Sequence, residues 1–163
     1  MEFNAEVPVR RDQVHHLLRS LNAAMIAQGY DDALRADLCL IAEEVACNVL
    51  EHGVPEHGGQ EHGGLEHSAA AHSGSKPADD DAHWLRVGIV RDGPRLHIEF
   101  RDTGLAYDPL ACPPPDLDAD IGERPIGGLG VYLVQALAED VRYAREEPHN
   151  VLRLVVRLPD PGS

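Results

Sequence analysis

Lysine is almost missing from this chain of 163 residues. Lys76 stands alone among 14 basic residues, which face 28 acidic ones for a formal charge of −14. An acidic surface repels phosphate backbones and anionic headgroups, which argues against nucleic acid or a membrane as partner. No run of 18 apolar residues occurs, so no membrane-spanning helix is expected. The opening MEFNAEVPVRRDQ lacks the apolar core of a signal peptide. Cysteine is scarce as well. Cys39, Cys47 and Cys112 are odd in number and form no CxxC pair. Cys39 and Cys47 lie in an apolar run and read as small core residues of a reduced, cytoplasmic protein. The length is one domain's worth, enough to bury roughly two-thirds of the unfolded surface.

What is present is a patterned α+β chain. Residues 2–7 alternate weakly, as an edge strand would. Residues 9–28 carry Val14, Leu17, Leu18, Leu21, Met25 and Ile26 at helical spacing, the stripe of an amphipathic helix. Gly29 ends it, and Asp31 or Asp32 caps a second helix with Leu34, Leu38, Ile41, Val45 and Val49 on one face. So little of that helix is polar that it should be largely buried. WLRVGIV and RLHIEF, joined by RDGP, predict an antiparallel hairpin. A Pro-, Asp- and Gly-rich stretch leads to a short helix, GLGVYLVQALAED, and a closing hairpin with Leu152, Leu154, Val156 and Leu158 on one face. The order predicts a two-layer sandwich, helices covering one face of a mixed β-sheet.

Three polar features interrupt this plan. Glu44, Asn48 and His52 recur at four-residue steps along the second helix. Burying an acid and an amide there without partners costs several kcal/mol. Pointing into a cleft, they suit a general base and a hydrated Mg²⁺. In RDTG, Asp102 and Gly104 directly follow a strand. A carboxylate so placed can accept a hydrogen bond from the exocyclic amine of a base, while glycine lets the backbone come close. IGGLG, with Gly127, Gly128 and Gly130, opens a helix, where successive N–H groups and the helix dipole can face a phosphate. Each has a blander reading as a satisfied rim residue, a turn or a helix start. Their combination and order favour the functional one.

EVACNVLEHG, DTGLAYDP and RPIGGLGVYLVQALAEDVRY…HNVLRLVVRL together resemble the small bacterial GHKL (Bergerat-fold) ATPases. More narrowly, they are similar to the anti-sigma-factor serine/threonine kinases and their ATP-binding regulatory relatives. The resemblance implies that residues 1–163 form one ATP-binding domain with ATP and Mg²⁺ as cofactors. Glu44 would be the base that takes a proton from a partner's serine, and Asn48 would ligate the Mg²⁺ on the ATP phosphates. Asp102 would bind the adenine amino group, with Gly104 allowing close approach. Gly127, Gly128 and Gly130 would cradle phosphates at the end of a lid over residues 105–126. The implied partners are a STAS-domain anti-anti-sigma protein, which would be phosphorylated, and a sigma factor or equivalent target. Such relatives often dimerise; composition decides nothing about that. Two departures stand out: Ala106 replaces the second glycine of the usual DxGxG, and HNV stands where a threonine-containing box is expected. Glu43 adjoins Glu44, but the spacing to Asn48 favours Glu44.

One feature lies outside the resemblance. EHGVPEHGGQEHGGLEH repeats a Glu-His pair every five residues, and His72 extends it. His52, His57, His62, His67 and His72 could chelate Zn²⁺, Ni²⁺ or Cu²⁺ weakly. A five-residue step advances ~140° around a helix, so these side chains would not align even if one formed. Residues 53–82 are therefore read as a tolerated, disordered insertion where a short turn would serve. A metal-binding protein built on this comb and a non-catalytic ATP-binding module are the rival readings. His15 and His16 could suggest the phosphoacceptor of a histidine kinase, but no room exists before the motifs for a two-helix dimerisation unit. Pro113 to Pro115 are read as stiffening the lid.

Overall fold

A computed structural model describes residues 2–53, 83–111 and 129–159. The elements run β1 (Glu2–Pro8), α1 (Arg11–Ala27), α2 (Asp32–His52), β2 (Trp84–Asp92) and β3 (Arg95–Asp102). A 3-10 turn (Pro109–Ala111), α3 (Leu129–Leu137), β4 (Asp140–Glu146) and β5 (His149–Arg157) follow.

Local chemistry sets the boundaries. Gly29 takes φ 75° after α1, a conformation that costs a residue without Cβ little. Asp31 then caps α2, its side chain accepting from Leu34 N at 2.9 Å. At the β2–β3 hairpin, Gly93 has φ 56°, as two-residue turns between twisted strands require. Val14, Leu17, Leu21 and Met25 bury the inner face of α1, while Ile26, placed on the same stripe by the sequence, is exposed. On α2 the buried set is Leu34, Leu38, Ile41, Ala42, Val45 and Ala46.

The strands form one sheet in the order β1-β2-β3-β5-β4. Inward-facing Leu85, Val87, Ile89, Leu96, Ile98, Phe100, Leu152, Leu154 and Val156 join the buried stripes of α1 and α2 in one core. The two-layer α+β architecture is as expected; the mixed sheet is not. Every described pairing is antiparallel. The reason is the number of reversals between strands. Two helices in succession return the chain so that β2 runs against β1, and β5 inserts between the like-directed β3 and β4.

The opposite sheet face is charged. Arg101 pairs with Glu99 at 3.3 Å and Glu146 at 2.7 Å, and Arg153 reaches the same two carboxylates at 2.8 Å each. Cys39 and Cys47 are free and half-buried, at the rim of the helices rather than in the core. Among the described residues no helix is long and apolar enough to cross a membrane. Gly53, counted at sequence level in the insertion 53–82, is buried and caps the end of α2. Residues 54–82, with the rest of the His comb, lie outside the described residues.

Candidate functional site

The site is built where the end of α2 meets the end of β3. Leu105 N donates to Gly53 O at 3.0 Å, and the rings of His52 and Tyr107 stack with centroids 4.1 Å apart. These contacts clasp the loop after β3 to the C-terminus of α2. Gly104 explains why they can form. A Cβ at Gly104 would lie 2.7 Å from Gly53 Cα and 2.8 Å from Gly53 O, closer than real atoms approach. The expected close approach at Gly104 is therefore, first of all, to the backbone of α2's cap.

Inside this clasp is a cleft of about 40 Å³. Val45, Val49, Phe100 and Leu152 make its apolar wall, and Asn48, Asp102, Tyr107, Tyr143 and Asn150 bring polar groups to it. An apolar wall with a few convergent polar groups is the lining of a small-molecule site, but at about 40 Å³ this cleft has room for a few waters, and a ligand that needs roughly 300 Å³ or more would extend beyond it. The structure thus brings Asn48 and Asp102 together from two elements, as the sequence suggested, with Gly104 against Asp102.

Asp102 is 7 % exposed. Its Oδ1 accepts from Gly104 N at 2.7 Å and from Asn150 Nδ2 at 2.9 Å. Among the described residues no hydrogen bond engages its Oδ2. Asn150, buried beside it, is a polar residue of the cleft that the sequence analysis does not single out. It sits directly opposite Asp102 in the β3–β5 register. Its Oδ1 accepts from Tyr143 OH at 2.8 Å, Arg145 Nη1 at 3.0 Å and Tyr107 N at 3.3 Å. Burial pushes the Tyr143 phenol up from its ordinary value, which keeps it a donor. Asn150 is the middle residue of the HNV triplet that stands in place of the threonine-containing box.

Glu44 stands one turn before Asn48, about 6 Å along the axis, and is not in the cleft wall. It is half-buried, whereas Glu43 is exposed. Burial first, then the nearby carboxylates of Glu43 and Glu51, raise its carboxyl above the ordinary glutamate value. A carboxylate so tuned is suited to general-base work. The first turn of α3 packs against it: a Cβ on Gly130 would overlap the Glu44 carboxylate. Glu44 and Gly130 are thus neighbours, while Gly127 and Gly128 lie outside the described residues. Of the expected lid, residues 105–111 are described, including the 3-10 turn, and residues 112–126 lie outside them.

A nucleotide and Mg²⁺ can be tested against these groups. Asp102 Oδ2 is an acceptor without a partner among the described residues, as an amino donor requires. No group of three or more His, Cys, Asp or Glu forms a metal site among the described residues. A divalent ion at Asn48 would therefore be held by one protein oxygen, water and ligand phosphates, the mode Mg²⁺ prefers. The donor set fits.

Over residues 7–156 the sequence matches the family described as the histidine kinase-like ATPase domain. A similar solved structure is that of the RsbU and RsbW domains of Rv1364c from Mycobacterium tuberculosis. It has a TM-score of 0.60 and 15% identity, over 99% of this chain and 33% of that one. At that identity the likeness concerns the fold, and this chain spans about a third of that chain's length. No curated protein matches.

Proposed function

Because this chain belongs to the histidine kinase-like ATPase domain family, we propose that it is an ATP-binding serine/threonine protein kinase of the anti-sigma type. Residues 1–163 act in this reading as one ATP-binding domain, which binds a sigma factor or equivalent target and phosphorylates a STAS-domain antagonist. That output rests on the sequence resemblance and on the RsbW domain named for the solved structure. The adenine and magnesium assignments come from the same resemblance and are supported by the meeting of Asp102 and Asn48 in one cleft.

The observation that carries the reading is the cleft shared by α2 and β3. Asp102, whose Oδ2 has no hydrogen-bond partner among the described residues, lines it from the strand end, and Asn48 lines it from the facing helix. Asp102 would receive the adenine amino group, and Asn48 would help hold a Mg²⁺ that, when bound, supplies neutralisation of the phosphate charge. Glu44 lies beyond Asn48, where the phosphates point if adenine sits at Asp102. Gly130 borders that end beside Glu44, and by the resemblance Gly127 and Gly128 would cradle phosphates with it. Glu44 accepts the proton of the partner's hydroxyl as its oxygen attacks the γ-phosphorus. The bond from that phosphorus to the bridging oxygen breaks, and ADP leaves with the electron pair. Positioning and charge neutralisation supply most of the rate in such transfers.

Calorimetry with Mg·ATP and Mg·ADP tests the site. Binding in the wild type that Asp102→Asn abolishes is the expected result; no binding in the wild type overturns the reading. Glu44→Gln then separates binding from chemistry. It should retain nucleotide and lose phosphotransfer to the STAS protein. Unchanged signalling by that variant in cells would instead favour control by occupancy alone.

A further inference from the structure

We propose that Asn150 is the positioning residue that sets the base preference of the cleft, by fixing which oxygen Asp102 presents to a purine. The inference rests on the nucleotide-site reading above. It adds a determinant to that site at a residue that need not touch the ligand.

The orientation of the Asn150 amide is determined by its surroundings. Its Oδ1 faces three donors, Tyr143 OH, Arg145 Nη1 and Tyr107 N. Its Nδ2 faces two acceptors, Asp102 Oδ1 at 2.9 Å and Leu105 O at 2.8 Å. Flipping the amide would set donors against Tyr143, Arg145 and Tyr107 N, and an oxygen against Asp102 and Leu105. Four of these five contacts would then be mismatched, the Tyr143 hydroxyl alone being able to accept instead of donate. At 6 % exposure, water is poorly placed to repair such a mismatch, and unmade buried hydrogen bonds are costly.

The consequence falls on Asp102. Gly104 N and Asn150 Nδ2 both occupy Oδ1, which holds the carboxylate plane and leaves Oδ2 as the acceptor for a ligand. An acceptor-only group in that place favours a purine with an amine at its six position. It opposes one with a carbonyl there, because two acceptors then meet. With Asn150's donation gone, only Gly104 N would hold the carboxylate, and it could turn. Selection between amine and carbonyl would weaken with it.

Asn150→Leu removes the donation at similar volume. Leucine has no N–H for Asp102 and brings no second carboxylate beside it, as aspartate would. Mg·ATP and Mg·ITP, which differ in amine against carbonyl at that position, are titrated into the full chain by calorimetry, with circular dichroism to verify folding. Wild type should prefer ATP by on the order of tenfold or more, the worth of a hydrogen bond to a charged group. In N150L the ratio should fall toward one. A merely structural role would weaken both nucleotides alike, so a folded N150L with the wild-type ratio overturns the inference. If N150L does not fold, N150A, which also lacks the donor, decides the matter by the same ratio. Wild-type protein that binds neither nucleotide overturns the site reading itself, and this inference with it.

Discussion

Glu43 and Glu44 are adjacent and chemically identical, yet the fold treats them differently. Glu43 is exposed and Glu44 half-buried beside the first turn of α3. Burial, then the charges of Glu43 and Glu51, raise the Glu44 carboxyl above its ordinary value. The protonated form is therefore favoured by the fold. The stability it brings is complete below the unfolded value and is lost as pH rises through the raised native one. At neutral pH the ionised side chain is a net cost. Glu44→Gln keeps the shape without the charge, so it should melt above wild type near pH 7, and the gap should close as pH falls to about 4. Thermal unfolding across that range checks this; a gap independent of pH would mean the charge is not its cause. The choice of Glu44 was legible because the four-residue step to Asn48 is a property of one helix. Asn150 was not, because its partner Asp102 lies 48 residues away and only the β3–β5 register brings the two face to face.

At the scale of elements, the site depends on how one helix end and one strand end are joined. Gly53 O accepts from Leu105 N, His52 stacks on Tyr107, and Gly104 has no room for a side chain. The atoms in the way at Gly104 are Gly53 Cα and O and the Asp102 carboxylate. Two of these are backbone and cannot swing aside, so α2 and the loop would have to separate. Gly104→Ala should cost about 1–3 kcal/mol, the usual range for overpacking. That lowers the melting temperature by about 2–4 °C per kcal/mol in a chain of this size. Nucleotide affinity should fall with it, because Gly104 N holds Asp102 Oδ1. A G104A protein with wild-type stability and affinity would show that the clasp is dispensable. The helices that make this joint were readable from their apolar periods, and the Asp31 cap from its residue type. The stack of His52 on Tyr107 was not, since no local pattern pairs the two rings, which meet only once α2 and the loop after β3 have packed.

At the scale of the molecule, the acidic chain gathers arginines on the sheet face away from the helices. There Arg101 and Arg153 share Glu99 and Glu146. Such exposed pairs add little stability individually, so the fold rests on the apolar layer between sheet and helices. Both ends of the His-rich segment are tied to that layer at one place. Gly53 packs on Gly104, and Trp84 exchanges hydrogen bonds with Thr103, its N donating to Thr103 Oγ1 at 3.1 Å and its O accepting from Thr103 N at 3.3 Å. Thr103 and Gly104 are consecutive, so the described residues that flank segment 54–82 meet the same dipeptide. At about 3.3–3.6 Å of reach per residue, a linker of a few residues spans such a gap. Replacing residues 54–82 with about four glycines and serines should therefore leave the clasp intact. Each halving of a loop returns only about 0.6 kcal/mol, so roughly three halvings raise stability by at most about 2 kcal/mol. The shortened protein should melt at or slightly above the wild-type temperature and bind Mg·ATP with unchanged affinity, as scanning calorimetry and titration would measure. Loss of both would mean that the segment packs into the fold and that the His comb belongs to the site rather than beside it.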